Sequence, residues 1–189
     1  GMAKHKRWCL LANLRDRTLM RNAVTFEISR KTGLAWTPSG KYVELVLNGT
    51  HIGNYYLCEQ IKVDENRVNI RETDDSATEG EGIEGGFIFE LDSYFDEDFK
   101  FRSCMRNLPW QFKDPDIVNQ AQYDYAVNYV TEMEKSLYTY EAFISREFVN
   151  YMDLESFADF WIVNELVSNP ELKWPKSTYM HKDVGGKMT

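Results

Sequence analysis

Tyr42 to Gln60 reads YVELVLNGTHIGNYYLCEQ. Val43, Leu45 and Leu47 alternate with Tyr42, Glu44 and Val46 up to Asn48-Gly49, a dipeptide that readily adopts the positive φ values of a type I′ turn. Two antiparallel strands with a two-residue connection follow. The register predicted from that turn sets Leu47 opposite Thr50, Leu45 opposite Ile52 and Val43 opposite Asn54. The second strand continues through Tyr55, Tyr56 and Leu57 into Cys58-Glu59-Gln60.

On the N-terminal side of this hairpin, Arg7 to Asn13 (RWCLLAN) suits a short buried strand. Arg15-Asp16-Arg17-Thr18 then opens a helix with Asp16 as N-cap, and Leu19, Ala23, Phe26 and Arg30 fall roughly on one face. Gly33 is placed to end that helix, and Pro38-Ser39-Gly40 to form a turn. On the C-terminal side, Asp74 to Gly86 carries five acids and several glycines with little to bury, which predicts a mobile loop. Strand pattern resumes at Phe87 to Asp92 and again at Trp110-Gln111-Phe112. Gln122 to Leu137 predicts an amphipathic helix, because Tyr123, Ala126, Val127, Val130, Met133 and Leu137 recur at three and four residues.

The last helix begins at an Asp153 N-cap, with Met152 stapled against Phe157, and ends before Pro170. Phe157, Phe160, Trp161 and Asn164 share a face. Burying the Asn164 amide unpaired would cost about 1–3 kcal/mol, so it requires a partner in a loop or a ligand. After the helix come a polar turn and the first arm of a short hairpin.

With 189 residues, 43% hydrophobic and 14% aromatic, the chain has material for one folded domain, and global disorder is excluded. No apolar run approaches the roughly 18 residues of a membrane span. No secretory signal is read at the start, so localisation is not written in these residues. Cys9, Cys58 and Cys104 are odd in number and far apart, a pattern of buried free thiols rather than of a disulfide framework or zinc cluster. His5, His51 and His181 are as scattered, so no metal site is assigned.

The net charge is −8 but uneven. Residues 1–31 hold eight Lys/Arg against Asp16 and Glu27, a balance of +6, whereas residues 64–98 hold thirteen acids against Arg67 and Arg71, a balance of −11. Overall acidity argues against nucleic-acid binding, which needs a basic face. The basic N-terminal segment suits a small anion or a solvated face.

No G-x-x-x-x-G-K-[ST], G-x-S-x-G or H-E-x-x-H motif occurs, and no dinucleotide-binding G-x-G-x-x-G is read. Carboxylates and amides at chain turns remain. Glu59-Gln60 at the strand end faces either a cleft or solvent. Asn169 and Glu171 either hold a hard cation or a hydroxyl, or cap the helix and meet water. Two alternatives stay open: a binding module that uses Tyr55, Tyr56, Trp110 and Trp174, and a carbohydrate-active or adhesive role, although no paired-carboxylate spacing supports hydrolysis.

Arg7–Asn22 (RWCLLANLRDRTLMRN), Tyr42–Ile70, Gly85–Asp92 (GGFIFELD), Ser156–Glu171 and Lys176–Asp183 (KSTYMHKD) occur in an order that resembles the spore-coat protein H (CotH) kinase-like family. The resemblance covers essentially the whole chain. It implies an α+β, protein-kinase-like fold: a β-rich lobe with a hairpin plus a helical lobe. It further implies ATP- and magnesium-dependent phosphoryl transfer to protein, although the family also contains fungal surface proteins that bind host receptors. Family kinases carry a glycine- and lysine-containing segment before the first strand and a Trp-Asp-Phe-Asp metal-binding motif after the last hairpin. By that comparison the chain is expected to be an internal fragment of one domain, with residues 1–115 mainly β-rich with one helix and residues 116–189 mainly helical.

Catalysis of phosphoryl transfer is mostly positioning and charge stabilisation. A fragment without the metal-binding aspartate is therefore expected to be inactive and to bind neither ATP nor magnesium tightly. The family's catalytic aspartate falls where this chain has Glu171. The resemblance thus assigns Asn164, Asn169 and Glu171 to the transfer site, Arg21 and Asn22 to phosphate, and Glu59 and Gln60 to the adenine pocket. The expected partner is a protein substrate or a surface receptor, in an exported or cell-surface setting.

Overall fold

The computed structural model describes residues 2–189. It is α+β, with two antiparallel sheets and four α-helices among the described residues.

The first sheet has the order β1–β3–β2, from Trp8–Leu11 (β1), Gly40–Leu47 (β2) and Thr50–Glu59 (β3). Asn48 and Gly49 take φ of 50° and 81°, as the type I′ turn requires. Leu47 pairs with Thr50 as expected, but the register then slips, so that Leu45 faces Gly53 and Val43 faces Tyr55. Ile52 is the extra residue of a β-bulge, and Gly53 at φ 138° supplies a backbone conformation that side chains disfavour. That glycine was the sign of the slip.

Helix α1 spans Arg21–Ser29, starting later than Asp16 predicted. Asn13 and Leu19 both take left-handed conformations, and the chain turns twice before the helix begins. Asp16 still serves the helix from a distance, since its Oδ2 accepts from the Arg21 amide at 2.8 Å while its Oδ1 accepts from Thr18. Gly33 does not cap α1, which ends at Ser29; its amide instead donates to Asp159 Oδ2 at 2.6 Å.

The second sheet has the order β5–β6–β4–β7, from Phe87–Leu91 (β4), Lys100–Arg102 (β5), Pro109–Asp114 (β6) and Thr178–Lys182 (β7). One face carries Phe87, Phe89, Phe101, Trp110 and Phe112 onto Ala126, Val130 and Met133 of α2, Gln120–Tyr138. The helical stripe read from sequence is thus core. Several of its aromatic pairs meet edge to face, as Phe89 and Trp110 do at 5.6 Å and 82°. Each buried Phe contributes on the order of 1.5–3 kcal/mol through apolar burial. Trp110 and Tyr56 are therefore buried, at 2% and 4% exposure, and are not the binding surface that the module alternative required.

Helix α3 (Tyr140–Ile144) and a 3-10 turn lead to α4, Leu154–Leu166, whose Asp153 N-cap accepts from Glu155 and Ser156 as predicted. Trp161 leaves the face shared by Phe157 and Phe160 and is 59% exposed. Strand β7 is more than a hairpin arm, because it pairs along β4 while Met188 bridges back to Lys182 and Met152. The acidic loop before β4 is tied down rather than free. Gln122 Nε2 donates to the carbonyls of Asp74 and Gly82, and Asn119 Nδ2 donates to those of Asp75 and Ala77.

Candidate functional site

The face of the second sheet that points away from α2 opens onto a cleft of about 410 Å³. Phe26 and Ser29 of α1, the 34–38 segment, Phe157, Phe160 and Asn164 of α4, and Ile88, Tyr179 and His181 of the sheet form its walls. The lining is mainly apolar and aromatic with a few polar groups, the usual character of a small-molecule site.

Local chemistry positions each wall. The 34–38 segment is held at three points. Gly33 binds Asp159, Arg30 Nη1 donates to the Pro38 carbonyl at 2.9 Å, and Glu59 Oε2 accepts from the Ser39 amide at 2.9 Å. On the opposite side the buried Asp92 carboxylate accepts from Ser177 and Tyr94 amides, which fixes the entry to β7 where Ser177 has φ 48°. Tyr179 connects the cleft to a charged cluster on the same sheet face. Burial and then Glu90 push its phenol well above the ordinary range. Lys113 lies 3.2 Å from Glu90 and also pairs with Glu97. Burial alone would lower the Lys113 amine, but the two carboxylates outweigh it and hold it above its ordinary value. Gln111 beside them is fully buried, with Oε1 accepting from Glu97 and Nε2 without a partner.

Of the residues read from sequence, the structure brings Asn164, Asn169 and Glu171 together at the end of α4. Asn164 Oδ1 accepts from Asn169 Nδ2 at 2.8 Å, its own amide donates to the Phe160 carbonyl, and Asn169 Oδ1 caps the 3-10 turn at the Glu171 amide. The buried-amide requirement at Asn164 is thereby met inside the protein. Asn164 alone of the three lines the cleft, and Glu171 is exposed. Glu59 is 6% exposed and acts on the cleft wall through Ser39, while the Gln60 carbonyl accepts from the buried Arg67. Arg21 and Asn22 stand outside the cleft. Arg21 has an 80% exposed side chain 3.7 Å from Asp16, and Asn22 donates to Asn13 Oδ1.

The sequence reading did not single out Glu90, Asp92, Lys113 or Tyr179. One signal was available: Glu90 interrupts the apolar run Phe87–Leu91, and a carboxylate inside a buried strand demands a partner. The reading that G-x-G-x-x-G is absent is wrong, because Gly80–Gly85 spells it. As a dinucleotide fingerprint that spacing needs a strand before it and a helix after it. Here it runs from a 3-10 turn into β4, and Gly85 is required because a Cβ there would lie 2.4 Å from the Asp183–Val184 backbone. It is a packing device.

Among the described residues no group of three or more His, Cys, Asp or Glu side chains converges to hold a metal ion, and no helix is long and apolar enough to cross a membrane. The cleft offers aromatic surfaces, Phe26, Trp36 and Phe160 among them, to a planar ligand.

A family model described as CotH kinase protein matches residues 1–189, the whole chain. The chain belongs to the CotH kinase protein family. No curated protein matches it significantly.

Proposed function

We propose that the chain forms part of a kinase-like domain that transfers a phosphoryl group from ATP, with magnesium, to a protein. One observation carries this reading within the family: the aromatic cleft enclosed by α1, the 34–38 segment, α4 and the second sheet, with Asn164 in its wall. Phe26, Trp36 and Phe160 would exclude water and stack on a base, an interaction worth about 1–3 kcal/mol by analogy with base–aromatic stacking. Glu59 would border the base site by fixing Ser39, with Gln60 next to it. Arg21 and Asn22 are the groups proposed for phosphate; the guanidinium is solvent-exposed and presents a fork suited to that anion. The Asn164–Asn169 pair would hold the loop that presents Glu171, whose carboxylate would accept the proton of the attacking hydroxyl. When bound, ATP would supply the phosphoryl group and magnesium would neutralise its charge; no metal ligand is assigned to this chain.

A non-catalytic surface-binding module of the same fold is the second reading, favoured by exposed Trp161 and by Trp174 at 69% exposure. Calorimetry with ATP and magnesium separates the two, run on this chain and on a chain extended at both ends. Saturable binding in the longer chain, weak or absent in the shorter, supports the kinase-like reading. Absence of binding in both supports the module.

A further inference from the structure

The three cysteines are free thiols, and two of them are cross-strand neighbours. Cys9 of β1 stands directly opposite Cys58 of β3 in the antiparallel register, flanked by the Trp8–Glu59 and Leu10–Leu57 pairs. Residues facing each other in such a pair have Cα atoms about 4.5–5.5 Å apart and side chains on the same side of the sheet. A disulfide spans Cα separations of about 4.4–6.8 Å, so directly opposed residues of such a pair stand within its reach. Cys58 is 3% exposed and Cys9 is half-buried, while Cys104 lies in a different part of the chain beside Glu134 and is exposed.

We propose that Cys9 and Cys58 form a thiol–disulfide site, closed by a low-molecular-weight disulfide oxidant such as oxidised glutathione, that cross-links β1 to β3. The partly exposed Cys9 Sγ, as thiolate, attacks one sulfur of the oxidant and releases one glutathione thiol. Cys58 Sγ then attacks the Cys9 sulfur of the mixed disulfide and releases the second. The two cysteines together lose two electrons and two protons, and the oxidant gains both as two thiols. Attack by Cys58 is the slow step, since burial, then the nearby Cys9 and Glu59, push its thiol up to about 11. Closure therefore speeds up as pH rises, in proportion to the thiolate present.

The folded chain is incubated with oxidised glutathione at pH 8 and at pH 9, quenched in acid, alkylated and digested without reduction for mass spectrometry. The expected result is a Cys9–Cys58 linked peptide pair, a fall from three titratable thiols towards one, and closure several-fold faster at the higher pH. Cys104→Ser should leave the linked pair intact, and Cys9→Ser should abolish it. Glutathione on Cys104 with Cys9 and Cys58 still alkylated would overturn the proposal. So would a Cys9–Cys58 link that appears only in denaturant, or one formed at equal rates at the two pH values.

Discussion

Gln122 shows what one buried amide can hold together. Its backbone N–H donates to Asn119 Oδ1 and its Oε1 accepts from the Asn119 amide, both at 3.0 Å, which closes a capping box at the start of α2. The same side chain donates to two carbonyls of the acidic loop and is fully buried. Truncation to alanine leaves those carbonyls and one amide unpaired, so Gln122→Ala is expected to cost about 2–3 kcal/mol in urea unfolding. A loss below about 0.5 kcal/mol would mean that water replaces the amide freely. From sequence, Gln122 looked like one polar residue at a helix start. Its partners lie forty and forty-eight positions away, where no local pattern reports them.

Among the elements, the β2–β3 hairpin and strand β7 show how conformation and burial act on a whole segment. Gly53 occupies φ 138° with open space around its missing Cβ, so substitution there is opposed by the backbone alone. Gly53→Ala should destabilise by about 1–3 kcal/mol, and circular dichroism melts would show it; an unchanged melting temperature would refute the strained bulge. In β7, burial lowers the His181 imidazole below its ordinary value of 6.5, with Asp183 and Asp153 pulling the other way. The unfolded chain then takes up this proton before the folded one. The associated stability is present above about pH 6.5 and is lost as pH falls from there through the folded value. Urea midpoints between pH 7.5 and 5 should fall less steeply in His181→Leu than in the parent chain, and parallel slopes would exclude His181 as the cause.

At the level of the whole molecule, the two sheets are unequal. The second, with α2, holds the continuous aromatic core, whereas the tip of the first leaves Val46, Leu47 and Ile52 between 46% and 59% exposed. Amide hydrogen exchange should therefore protect β4, β6 and α2 most strongly and release the β2–β3 tip first. Equal protection throughout would show a single cooperative unit despite that asymmetry. The cleft belongs to this scale as well, because α1, the 34–38 segment, α4 and the second sheet each contribute a wall and none encloses it alone.

Periodicity and turn chemistry, which act between near neighbours, were enough to establish the hairpin turn at Asn48-Gly49, the apolar stripe of α2 and the Asp153 cap. The order of its motifs pointed to the family and, through that resemblance, to the α+β class. Other features depend on which distant segments touch: the pinned acidic loop, the Glu90–Lys113 cluster and the facing of Cys9 with Cys58. Those contacts arise when the chain packs, because a buried carboxylate, amide or thiol takes its partner from whatever the fold brings within reach. Tertiary structure alone decided them.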